Sequence, residues 1–114
     1  MPKFILLFHG GNITEDNKSQ SIKDRLAWMD DLKSKNKFID GSPLHPEGKI
    51  TTNKSDVILY IHNDAGISGY AIIEAENEEE AIAIARTAPQ LREEYGSANA
   101  EIRMLSPLVN QQQT

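Results

Sequence analysis

Two segments of this chain are apolar on both faces that a β-strand presents, and this limits the folds open to it. In Phe4–Phe8, Ile5 and Leu7 point one way and Phe4, Leu6 and Phe8 the other. In the segment from Ile67, Ala71 and Ile73 share one face, Tyr70 and Ile72 the other. A strand with one wet face alternates apolar with polar residues, so both faces of this sheet need cover. The chain has two helical segments, enough to cover one face of a small sheet. The other face would then expose more apolar area than the few hundred Å2 typical of a monomer's largest patch. An identical face on a two-fold partner is the simplest cover. The competing lid, residues 41–55, is polar and proline-rich. The expectation is a homodimer.

The rest of the chain supplies the elements around these strands. Phe4–Phe8 should end at His9, where Gly10-Gly11 punctuates the strand. Ser21-Ile22-Lys23-Asp24 has capping-box spacing, in which a hydroxyl and a carboxylate satisfy two backbone donors, so a helix is predicted to start there. Ile22, Leu26, Met29 and Lys33 fall on one side of that helix, flanked by Arg25, Trp28 and Leu32. Short strands are predicted at 38–41 and 49–52, separated by a loop rich in proline and glycine. Val57–His62 is β-branched and aromatic, reading as a further strand. Asn63-Asp64-Ala65-Gly66 is turn chemistry, and Ile67–Ala75 is the longest strand. Asn77 caps a second helix whose Glu78, Glu79 and Glu80 suit the positive end of its dipole. Pro89 interrupts that helix, a turn or two ends at Gly96, and Ala100–Leu105 is the last strand. The order predicts an α+β domain of ferredoxin-like topology, β-α-β-β-α-β with an extra middle hairpin, over residues 1–106. Residues 107–114 form a polar tail.

Composition excludes several functions. The formal net charge is −5, from 17 acids against 12 bases, which argues against nucleic acid or an anionic membrane as main partner. There is no cysteine, so disulfides, thiolate metal sites and cysteine nucleophiles are ruled out. The three histidines lack metal-ligand spacing, and Gly10-Gly11 lacks the rest of a phosphate loop; neither a metal nor a cofactor is expected. The apolar run behind Met1-Pro2-Lys3 is too short for a signal-peptide core or a membrane span, which points to a cytoplasmic protein.

Read in order, Gly66–Ala75, Glu79-Glu80-Ala81, Thr87-Ala88-Pro89-Gln90-Leu91 and Glu101-Ile102-Arg103 resemble the YCII-related family, in particular its DGPF-type members. The first half is similar too, in its Phe-Ile-Leu-Leu-Phe strand, in Trp28 and Leu32, and in Gly41-x-x-Leu44. The likeness spans nearly the whole chain and is carried by order and spacing. It implies a dimeric α/β-barrel. Some relatives resemble lyases or dehalogenating enzymes of ring compounds that use a His-Asp pair; others are linked to transcription regulation, and many have no assigned activity. The Asp-Gly-Pro-Phe motif itself is absent, with Asn63-Asp64-Ala65-Gly66 roughly in its place; whether Asp64 replaces the motif's acid stays open, and any role of that loop is the least transferable part of the likeness.

The candidate catalytic residues are His9 and Asp64. His9 ends a buried strand just before two glycines, where backbone can approach a ligand closely and an imidazole can serve as general base. A partly buried histidine satisfied by a nearby carbonyl or carboxylate is the competing reading. His62, two residues before Asp64, forms a His-acid pair with it or sits as a solvated turn residue. Trp28 would line an aromatic pocket near His9 or anchor the core, and Tyr60 and Tyr70 would lend hydroxyls to the pocket or to the dimer interface. Arg25 and Arg103 suit an anionic substrate group, against salt bridges with Asp or Glu. Two functions follow: a lyase-like enzyme acting on a small molecule through His9, or a non-catalytic ligand-binding or regulatory dimer.

Overall fold

The structure, a computed structural model, describes residues 1–51, 53, 59–60 and 66–106, with backbone alone at 50, 59 and 60. Its main sheet has four strands: β1 (Lys3–His9), β2 (Phe38–Pro43), β5 (Ile67–Glu74) and β6 (Asn99–Met104). Their order is β2-β5-β1-β6, and every pairing is antiparallel. Two helices, α1 (Lys18–Ser34) and α2 (Glu78–Arg86), complete an α+β fold compatible with ferredoxin-like topology. The middle hairpin is a separate two-stranded ladder of β3 (Lys49–Ile50) and β4 (Leu59–Tyr60). The rest of the strand predicted at Val57–His62, and the tail from 107, lie outside the described residues.

Both helices pack on one face of the sheet. Phe4, Leu6 and Phe8 of β1, with Ala71 and Ile73 of β5, meet Trp28 and Leu32 of α1. Ala81, Ile84 and Ala85 of α2 close the same core, their small side chains letting the helix lie near the strands. The opposite face carries Ile5 and Leu7 beside Ile72 and Tyr70 in register, all half-buried in the single chain. Asp40 and Ser42 of β2 edge this stripe on one side, Glu101 and Arg103 of β6 on the other. The double-apolar pattern therefore describes a sheet that the two helices cover on one side only.

The first helix corrects the sequence reading twice. It begins at Lys18, so Ser21 is no cap: its backbone N–H donates to Asn17 O at 2.9 Å, and the residue is buried inside the first turns. Thr14 and Asn17 order the approach instead. Asn17 Oδ1 accepts from Thr14 N at 2.8 Å, and Thr14 Oγ1 accepts from Asn17 N at 3.3 Å. The helix is also rotated from the expected stripe. Trp28 and Leu32 are buried, whereas Ile22 and Leu26 remain 49% and 53% exposed. At the second helix the expected cap is present, with Asn77 Oδ1 accepting from Glu80 N at 2.8 Å. Two short 3-10 turns, Pro89–Leu91 and Glu93–Tyr95, follow and end at Gly96 in the left-handed region, φ 90°.

Candidate functional site

The alternation of β1 sends Phe8 into the core and His9 to the opposite face. His9 is paired with Asn99, which places Glu101 two residues along the adjacent strand on the same face. His9 Nε2–H donates to Glu101 Oε1 at 2.9 Å, with both side chains partly open to solvent. Arg103 Nη1 lies 3.8 Å from the other Glu101 oxygen, so the carboxylate is shared between imidazole and guanidinium. In the neutral ring, a proton committed to Nε2 leaves Nδ1 as the acceptor nitrogen that a general base requires.

Beyond His9 the chain turns through Gly10 and Gly11, with φ 80° and 94°, backbone that suits glycine. Gly10 N donates to Gly66 O at 3.0 Å, and Asn12 N to Tyr95 O at 2.8 Å. A Cβ at Gly96 would collide with Asn12 N, so this close passage needs glycine there as well. The result is a groove of about 720 Å3 lined by His9, Gly10, Gly11, Leu44, Pro46 and Ile67. That lies within the range of roughly 300–1,000 Å3 usual for small-molecule sites.

Tyr95 braces the loop from below. Its buried hydroxyl donates to Asp24 Oδ2 at 2.6 Å, tying the second 3-10 turn to α1, and Arg92 Nη1 reaches the same oxygen at 3.1 Å. This bond lifts the Tyr95 phenol from its ordinary 10.0 to about 12 and, with help from Gln20 and Arg92, holds Asp24 below its ordinary carboxylate value. A raised phenol stabilises the fold below pH about 10 and loses that contribution as pH climbs towards about 12. A lowered carboxylate stabilises above its ordinary value and loses that contribution as acid takes it down through the depressed one. Tyr95→Phe is expected to flatten the alkaline loss of stability between those two phenol values. Urea midpoints recorded against pH check this; an alkaline slope unchanged in the variant contradicts it.

The other sequence candidates distribute over both faces. Trp28 is on the core side, its Nε1–H donating to Thr87 Oγ1 at 2.8 Å and its ring edge-on to Phe8 with centroids 6.3 Å apart. It is therefore across the sheet from His9, not beside it. Tyr70 shares the His9 face and donates its hydroxyl to Asp40 Oδ2 at 2.9 Å, which raises the phenol above its ordinary value. His62, Asp64 and the Tyr60 side chain lie outside the described residues. Glu101 was not among the predicted site residues. Its signal was the Glu-x-Arg alternation of the last strand, which puts both charges on one face, but only the strand pairing identifies that face as His9's. Among the described residues no group of three His, Cys, Asp or Glu could hold a metal, and no helix is long and apolar enough to cross a membrane.

These features define an α+β protein with an antiparallel four-stranded sheet, two helices on one face, and a histidine–carboxylate pair on the other. Among solved structures it is similar to 5-chloro-2-hydroxyhydroquinone dehydrochlorinase from Burkholderia phenoliruptrix, in complex with 2,5-dihydroxybenzoquinone. The TM-score is 0.52 at 16% identity, covering 90% of this chain and 93% of that chain. At that identity the likeness shows the fold alone. No family model matches the sequence, and no curated protein does.

Proposed function

We propose that this chain is a homodimeric relative of the YCII-related proteins that acts on a small ring compound, with His9 as its proton-transfer group. The observation that carries the reading is the 2.9 Å bond from His9 to Glu101 at the edge of a groove built on Gly10-Gly11. Glu101 takes the orienting role for which Asp64 was the sequence candidate. The ring-compound class is suggested by the dehydrochlorinase likeness, whose own ligand is a hydroxylated quinone. Ile5, Leu7, Tyr70 and Ile72 supply the face on which a second copy would pack.

A ligand-stabilisation screen over hydroxylated monocyclic compounds tests this. A ligand present at a hundred times its Kd adds about 2.7 kcal/mol, a melting shift on the order of 10 °C for a domain this size. The expected hits stabilise the wild type and are turned over by it, and they fail to stabilise His9→Ala. Glu101→Gln keeps the shape but removes the carboxylate, and should bind the same hits while turning them over at least about tenfold more slowly. Hits that stabilise His9→Ala equally would move the site away from this groove. A binding-only role is favoured by one observation, the separation of Trp28 from His9 by the sheet. Stabilisation without any product would select it.

A further inference from the structure

A second space lies on the helix side of the sheet, between α1 and the β2–β5 edge. It is a cavity of about 180 Å3 whose walls include Phe8, Trp28, Met29 and Phe38. Dry cavities of roughly 150 Å3 lined by apolar side chains take up benzene. This one therefore has room for a single ring and one or two small substituents. The lining is mostly apolar, with Ser42, Ser68 and Tyr70 at the strand edge and two longer polar side chains on the helix side. These are Arg25 and Gln90, and Arg25 Nε and Gln90 Oε1 are buried without a hydrogen-bond partner among the described residues. Arg25 also makes no ion pair among the described residues.

A buried donor on a cation and a buried acceptor on an amide each cost free energy while unpaired. Both costs are recovered by an occupant that offers an anionic oxygen to the guanidinium and a hydroxyl to the amide oxygen. We propose that this cavity is a binding site for a monocyclic aromatic acid bearing a ring hydroxyl, its carboxylate held by Arg25 and its hydroxyl by Gln90. The ring would stand among Trp28, Phe8 and Phe38. The ring pocket is across the sheet from His9, although Arg25 and Gln90 also border the space behind Gly10, Gly11, Leu44 and Pro46 that adjoins the His9 groove. A compound that stabilises wild type and His9→Ala alike but not Arg25→Met therefore belongs to this cavity, and one lost only in His9→Ala belongs to the groove, which keeps the two readings separately testable.

Trp28 is the only tryptophan, so its fluorescence reports the cavity directly. The probes are 3-hydroxybenzoate, benzoate, which lacks the hydroxyl, and 3-methylphenol, which lacks the anion. On the wild-type chain 3-hydroxybenzoate should quench saturably and bind at least tenfold more tightly than 3-methylphenol, with benzoate between them. Arg25→Met should bring 3-hydroxybenzoate and 3-methylphenol to equal affinity, and Gln90→Leu should do the same for 3-hydroxybenzoate and benzoate. No saturable quenching at millimolar probe, or equal affinity of the acid and the phenol for the wild type, overturns the proposal. The comparison among ligands needs only the wild-type protein, so an Arg25 variant that fails to fold leaves the test standing.

Discussion

Phe8→Ala is expected to remove about 3–5 kcal/mol of folding free energy, the usual cost of truncating a buried aromatic side chain. Phe8 is 1% exposed, and it is both a member of the core and a wall of the helix-side cavity. Truncation forfeits its edge-on contact with Trp28, and the vacated volume merges with a space already there, so the surroundings cannot collapse to fill it. Domains of this size have about 5–15 kcal/mol in all, so the variant should melt roughly 15–30 °C lower. Leu26→Ala is the informative contrast. At 53% exposure it should cost under about 1 kcal/mol, although helical spacing places Leu26 on the apolar stripe. Urea titrations of both variants check the pair. Equal losses would mean that Leu26 is packed as deeply as Phe8.

That contrast marks where the sequence was legible and where it was not. Short apolar runs bounded by polar residues and glycine mark the strands, and successive side chains on a strand point to opposite faces, so the faces of Phe4–Phe8 and of the strand from Ile67 are correctly sorted. The cap at Asn77 was equally plain, because a polar cap and three acids precede a short apolar body. The first helix was harder. Its opening turn, from Lys18, carries no apolar residue, so periodicity gave no start, and the Ser21–Asp24 spacing imitated a cap. Asp24 is spent elsewhere, on Tyr95, a residue 71 positions away that no local pattern connects to it. The rotation of the stripe has the same origin. Ile22 and Leu26 fit the period as well as Trp28 and Leu32, and only packing on the sheet chooses between them.

The candidate site was half visible for a related reason. His9 was legible because strand end and glycine pair are local features. Glu101 was not, because its role comes from the register between the first and last strands, His9 against Asn99. Arg25 and Gln90 were invisible as a pair, since they sit on α1 and on the first 3-10 turn and meet only through the fold.

For the homodimer proposed above, Ile72→Lys is expected to shift the equilibrium from dimer to monomer, raising the dissociation constant by about a thousandfold or more. Ile72 lies at the centre of the uncovered face, beside Ile5 on one strand and Asp40 on the other. In a two-fold dimer each subunit presents the same patch, so one substitution places two ammonium groups in the apolar middle of the interface. Removing an ion from water costs several kcal/mol even after relaxation, and about 4 kcal/mol corresponds to that thousandfold change. Within the single chain the new charge faces Asp40 across the ladder, and a sheet face open to water tolerates it, so the fold should persist. Sedimentation equilibrium measures the association, and far-ultraviolet circular dichroism with a melting curve shows that the variant is folded. A folded, monomeric variant beside a dimeric wild type is the expected result. A monomeric wild type, or a variant that dimerises as tightly, would mean that Ile5, Leu7, Tyr70 and Ile72 face water or some other partner. The groove at His9 would then have to work without a second subunit beside it.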